Sequence, residues 1–151
     1  MPFKQLGAVA AGYQNPITPG GPELVAARYG QSLLAVDHTA NTRGFIGVLP
    51  AGCLPVTMFI SVPVALGAGF TASIGLAAAD GDISVADADG GAAWVTNDAT
   101  GATGGYLQVN PAAFAKVVPK DYDRRLVLKV TAPGTGTPAG TFNVNMVYSN
   151  A

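Results

Sequence analysis

The lone histidine of this 151-residue chain, His38, and its lone cysteine, Cys53, are the first places to look for chemistry. Nucleophilic catalysis needs a base within reach of a Ser, Thr or Cys, and such groups meet in space rather than in sequence. A dyad of His38 with Cys53 or a serine is therefore open on spacing alone. The surrounding residues argue for something plainer. No Gly-x-Ser-x-Gly elbow occurs, and Val36-Asp37-His38-Thr39 reads as a turn after a short strand. Cys53, between Gly52 and Leu54, reads as a small apolar residue where a strand starts. We assign no catalytic residue.

The carboxylates are no better placed. Asp80, Asp82, Asp87, Asp89 and Asp98 cluster as a Ca²⁺ site would require, but Asp80-Gly-Asp82 and Asp87-Ala-Asp89-Gly90 lack the further ligands and closing Glu of an EF-hand loop. The stretch reads as a solvated loop, and no metal site is assigned. A carboxylate pair for glycoside hydrolysis would need a lined cleft, which a sequence does not display. Gly134-Thr-Gly136-Thr-Pro-Ala139 matches the letters of a nucleotide fingerprint, yet an alternating strand follows it where a helix is required. Gly101-Ala-Thr-Gly-Gly105 has no Lys for a phosphate loop. No cofactor is expected. Lys116, Lys120, Arg124, Arg125 and Lys129 gather positive charge into one region, but Asp121 and Asp123 largely cancel it. This reads as a docking patch for an acidic partner or as a solvated turn.

These residues sit in an unusual background. Apolar residues make up 49% of the chain and charged residues 11%, against about 25% charged in ordinary soluble domains. Uncharged side chains must therefore face the water. A net charge of −1 provides no field to gather phosphates or an anionic membrane, so neither nucleic acid nor membrane is expected as a partner. One cysteine excludes an internal disulfide framework and is compatible with synthesis in a cytoplasm. Leu54–Leu66, the most apolar segment, is broken by Pro55 and Pro63 and falls short of the roughly 20 residues a membrane helix needs.

Twenty glycines and eleven prolines leave no window for a long helix, and the recurring apolar period is two. Phe70, Ala72, Ile74 and Leu76 alternate with Thr71, Ser73 and Gly75. Val56–Val62, Leu126–Val130 and Phe142–Tyr148 alternate in the same way, as half-buried strands do. Phe45–Leu49 and Tyr106–Val109 are further strands, and Leu33–Val36 and Ala92–Val95 weaker ones. Phe114–Val118 fits a strand or a helical turn. The Pro50–Cys53 turn predicts a hairpin of 45–49 with 56–62, and the Gly/Pro-rich 132–140 predicts a long-looped hairpin of the last two strands. Seven or eight short strands in one domain-sized chain predict an all-β fold, a two-sheet antiparallel sandwich or small barrel.

Residues 1–30 differ in kind, with Pro2, Pro16, Pro19 and Pro22 among several glycines. They read as an extended N-terminal arm on a sandwich domain of residues 31–151. The arm carries Phe3, Tyr13 and Tyr29, anchors that a disordered tail would lack, and is expected to lie on its own domain or on a neighbouring subunit. Trp94 reads as a core or loop anchor first, an interface residue second and a sugar platform third. Phe3, Tyr13, Tyr29, Trp94 and Tyr106 are the candidate partner contacts.

The run Gly47-Val-Leu-Pro-Ala-Gly52 into Val56–Val62, then Leu66-Gly-Ala-Gly-Phe-Thr-Ala-Ser-Ile-Gly75, resembles the decoration, or cement, proteins of tailed-bacteriophage heads. So does the ending: Arg125-Leu-Val-Leu-Lys-Val-Thr131, a Gly/Pro loop, Ala139-Gly-Thr141 and a last strand finishing in Val147-Tyr148. The resemblance covers roughly residues 45–150. It implies a jelly-roll-like sandwich, assembly as a dimer or trimer, a place on the outer surface of the virion capsid, and the major capsid protein as partner. An exterior of Thr, Ser, Asn, Ala and Gly suits such contacts, because it avoids the desolvation that charges impose. The competing expectations are a carbohydrate-binding or adhesin-like module with a platform near Trp94, and a small hydrolase built on His38 or the Asp80–Asp89 acids. A subunit of the shell itself is disfavoured by the small size.

Overall fold

The computed structural model describes residues 3–4, 23–85 and 93–151. Among these, eight strands follow one another: β1 Leu24–Leu33, β2 Arg43–Leu49, β3 Cys53–Val62, β4 Thr71–Leu76, β5 Val95–Asp98, β6 Gly105–Gln108, β7 Arg124–Ala132 and β8 Gly140–Asn150. A four-residue helix, Thr100–Thr103, and 3₁₀ turns at Ala35–Asp37 and Pro111–Phe114 fill the connections. The strands form two four-stranded sheets, ordered β1-β8-β3-β6 and β2-β7-β4-β5, antiparallel throughout. Of the consecutive strands, only β4 and β5 share a sheet; every other connection crosses from one layer to the other. That wrapping is the strand order of a jelly roll, and the all-β sandwich expectation holds.

Period-two alternation makes this core. Met58, Ile60, Phe142, Val144 and Met146 point inward from the first sheet, and Ile46, Ile74, Leu126 and Leu128 from the second; all are buried to 1% or less. The interior between the sheets is thus an apolar layer that β-branched and long side chains fill from both sides, with Gln31 of β1 a buried polar exception.

The two expected hairpins are corrected. β2 and β3 flank a tight turn but lie in different sheets, and so do β7 and β8. A Gly/Pro-rich turn fixes where the chain reverses but not whether it returns in the plane of its own sheet or crosses to the other. The weaker assignments shift as well. Leu33 ends β1 and residues 35–37 form a 3₁₀ turn, Val95 begins β5, and Phe114 closes a 3₁₀ turn.

The arm boundary also moves. Residues 24–30, read as arm, form the first part of β1, which pairs with β8 in unbroken register from Leu24↔Ser149 to Leu33↔Gly140. Phe3 and Lys4 are held against the sandwich as well. The Phe3 ring is buried against Gly44, where a Cβ would lie 2.7 Å from the ring. The Lys4 N–H donates to Asp37 Oδ1 at 3.1 Å, while the Leu34 N–H donates to Oδ2 at 2.8 Å. Tyr13 lies outside the described residues.

Candidate interaction surface

The residues that could have done chemistry are occupied elsewhere. The Nδ1 of His38 accepts from the Gly134 N–H at 3.3 Å, so Nε2 carries the proton and donates to the Pro138 carbonyl at 2.9 Å. The ring also packs edge-on against Phe70, 5.7 Å between centroids. His38 thereby clips the 133–139 crossover onto the sandwich, and a base with both nitrogens engaged has none to offer a nucleophile. Cys53 instead faces Asn150, its Sγ 3.8 Å from Oδ1. Burial pushes the Cys53 thiol up, with the nearby Asp123 adding to the effect and Arg124 opposing it. A thiol held protonated is a poor nucleophile.

Asp82 has cations as partners. Lys129 Nζ lies 3.0 and 3.1 Å from its two oxygens, and an Arg43 nitrogen lies at 3.8 Å. Burial by itself would raise its pKa, but hydrogen bonds from the Ile83 N–H and Lys129, with the charges of Lys129 and Arg43, hold it below the usual value. Asp82 therefore works as a latch. It pins the 77–85 loop across the outside of the second sheet, where Ile83 rests on Gly75 and bridges back to Ala77. Asp87 and Asp89 lie outside the described residues. Among those described, no cluster of three or more His, Cys, Asp or Glu could hold a metal ion, and no helix is long and apolar enough to cross a membrane.

Four of the five candidate contact residues can be placed, and the structure does not bring them together. Phe3, Tyr29 and Trp94 belong to the core. Tyr29 lies flat over Gly47, where a Cβ would come within 2.5 Å of its ring, and donates its hydroxyl to the Val48 carbonyl at 2.8 Å. Burial, with a contribution from Tyr148, pushes its pKa up to about 12 against the lowering effect of that carbonyl contact. Trp94 is 6% exposed and meets Phe114 edge-on at 5.1 Å, which leaves the sugar-platform reading without its ring. Only Tyr106 faces solvent, at 65% exposure, stacked on Phe59 with centroids 5.5 Å apart and planes 22° from parallel.

The register shows what surrounds Tyr106. On the outer face of the first sheet, rows of paired residues run Arg28–Asn145–Phe59–Gln108 and Gly30–Asn143–Ser61–Tyr106, with Ala26–Val147–Thr57 beside them. In these rows Arg28, on the edge strand, is the one charge. The second sheet contrasts with this: Arg43 and Lys129 share a row, Arg125 stacks over Phe45 at 4.5 Å, and the Asp82 latch lies above. A shallow groove of about 440 Å³ runs between residues 76–79 and Tyr122–Arg125 on that side. The sandwich is therefore two-faced, with one outer surface nearly uncharged and the other bearing ion pairs and a loop. Sequence reasoning missed Phe59, Asn145 and Arg28 as members of a single face. The signal lay in the positions that alternate with the core residues.

Double-sheet jelly rolls build both viral capsid and lectin domains, and the comparisons fall among the former. No family model matches the chain, and no curated protein matches it. Solved structures do. A chain from the capsid of Ralstonia phage GP4 superposes with a TM-score of 0.76 at 20% identity, covering 97% of both chains. A chain from the cyanophage Pam1 capsid asymmetric unit gives a TM-score of 0.59 at 10% identity, covering 91% of this chain and 92% of that one. What is shared at these identities is the fold, from end to end.

Proposed function

We propose that this chain is a decoration protein of a bacteriophage head, bound outside the assembled shell and bridging neighbouring major capsid subunits as a homo-oligomer. The observation that carries this reading is the superposition with the GP4 capsid chain over 97% of both chains. The two-faced exterior supports it, because an uncharged sheet face can pack against protein without stripping water from ions. In this reading the protein performs no catalysis: its imidazole and thiol serve the fold.

The stabilising mechanism is linkage. A protein that binds the assembled shell and not its free subunits stabilises the shell by about 2.7 kcal/mol per site when its free concentration is 100 times Kd. An oligomer touching several subunits at once gains effective concentration, so each contact can be weak while the array holds. The test is co-sedimentation of the purified protein with undecorated phage heads. Saturable binding at a fixed number of copies per head is the expected result. Absence of the protein from the head pellet would refute the proposal.

A further inference from the structure

Resting on the decoration reading, we infer that the outer face of the β1-β8-β3-β6 sheet is the surface that docks on the shell, with Phe59 and Tyr106 as its anchor. Its occupant is an uncharged protein surface presented by assembled capsid subunits.

Three observations converge on this face. First, its charge is nearly zero: the aromatic pair stands at the β3–β6 side of the face, Asn143, Asn145, Ser61, Thr57, Val147 and Gln108 lie in register beside it, and Arg28 sits on the opposite edge strand. Protein interfaces are enriched in aromatic residues and depleted of charge at their cores. Second, Tyr106 is already ordered by its stack on Phe59, so docking a ring 65% exposed costs little further side-chain entropy. Third, the opposite face is already in use. There the chain's own 77–85 loop is pinned by Asp82 to Lys129, and Arg43 and Arg125 would need desolvation on contact.

Area favours a shell over a second copy as the occupant. Strands about 4.8 Å apart and rising about 3.3 Å per residue give the face roughly 500–600 Å². A standard stable interface takes about 800 Å² from each partner. Two copies meeting face to face would fall short, whereas an oligomer presenting several such faces to a lattice gains by multivalency.

The test places a negative charge on each face in turn and measures binding to undecorated heads by co-sedimentation, with thermal melting and light scattering as controls for folding and oligomeric state. Tyr106→Glu and Ser61→Asp alter the uncharged face. Val85→Asp alters the 77–85 loop over the other sheet, at a residue 84% exposed. A charge buried without a partner should weaken docking by roughly tenfold or more, so both variants of the first face lose binding while Val85→Asp binds like the parent. If all three bind like the parent, or only Val85→Asp loses binding, the face assignment is overturned and the decoration reading stands. If Tyr106→Glu or Ser61→Asp dissociates the oligomer, the face holds copies together and the assignment also fails. If the unaltered chain does not sediment with heads, the decoration reading itself fails.

Discussion

Replacing Gly47 by Ala tests how the two sheets are joined along their β1 and β2 edges. Tyr29 reaches from β1 in the first sheet to lie on the β2 backbone of the second, and a Cβ on residue 47 would stand 2.5 Å from two ring carbons. The ring is 3% exposed and ends in a 2.8 Å hydrogen bond to Val48, so it cannot tilt away without losing both contacts. Overpacking of this kind costs about 1–3 kcal/mol, and the hydrogen bond contributes about 1 kcal/mol more. Together these come to about 2–4 kcal/mol, and a domain of this size shifts by about 2–4 °C per kcal/mol. Gly47→Ala should therefore melt about 4–16 °C below the parent by calorimetry or circular dichroism. Tyr29→Phe, which keeps the ring and removes the hydroxyl, should lose only the hydrogen-bond share. A Gly47→Ala protein melting within a degree of the parent would show that Tyr29 does not tie the sheets as described.

Three further outcomes follow from the same contacts. His38→Ala leaves the Gly134 N–H and the Pro138 carbonyl without their partner, at a cost of about 1–3 kcal/mol measured by urea unfolding; stability unchanged within error would contradict the clip. Asp82→Asn probes the latch through pH. The folded-state pKa of Asp82 lies below its unfolded value, so its stabilisation is present above about pH 4 and fades as pH falls through the folded value. The melting-temperature gap between parent and variant should accordingly close on acidification, and a gap equal at pH 7 and pH 3 would argue against the ion pair. Phe3→Ala empties the socket over Gly44 at a cost of about 3 kcal/mol and frees Lys4. Faster tryptic cleavage after Lys4, followed by mass spectrometry, is the expected sign, and an unchanged cleavage rate would mean that the ring does not hold the N-terminus.

The strands were legible because large apolar residues recur at every second position. In 58–62, 126–130 and 142–148 those residues line the interior, whereas Val56, in the same alternation, is turned outward by the bulge between Pro55 and Thr57. β1 was hidden because its inward row is Val25, Ala27, Tyr29, Gln31 and Leu33, in which a small and a polar residue interrupt the apolar signal. Layer crossing was illegible for a different reason: the turn residues at 50–53 and 132–140 report local backbone geometry, while the sheet a strand joins depends on pairing with strands far away in sequence, such as β8 with β1. The aromatic residues misled in a consistent way. Phe3 and Tyr29 stand in Gly/Pro-rich sequence that looks exposed, yet the glycines that receive their rings are Gly44 and Gly47, on another strand. Tyr106 differs in lying on a four-residue edge strand with its ring on the outward side.

The proposed attachment to a closed shell would show most directly in the thermal resistance of that shell. Heads lacking the protein, then saturated with it, should release their genome at a higher temperature, and the gain should shrink when Tyr106→Glu is added at the same concentration instead. Release at the same temperature with and without saturating protein would contradict the claim that this jelly roll reinforces a capsid.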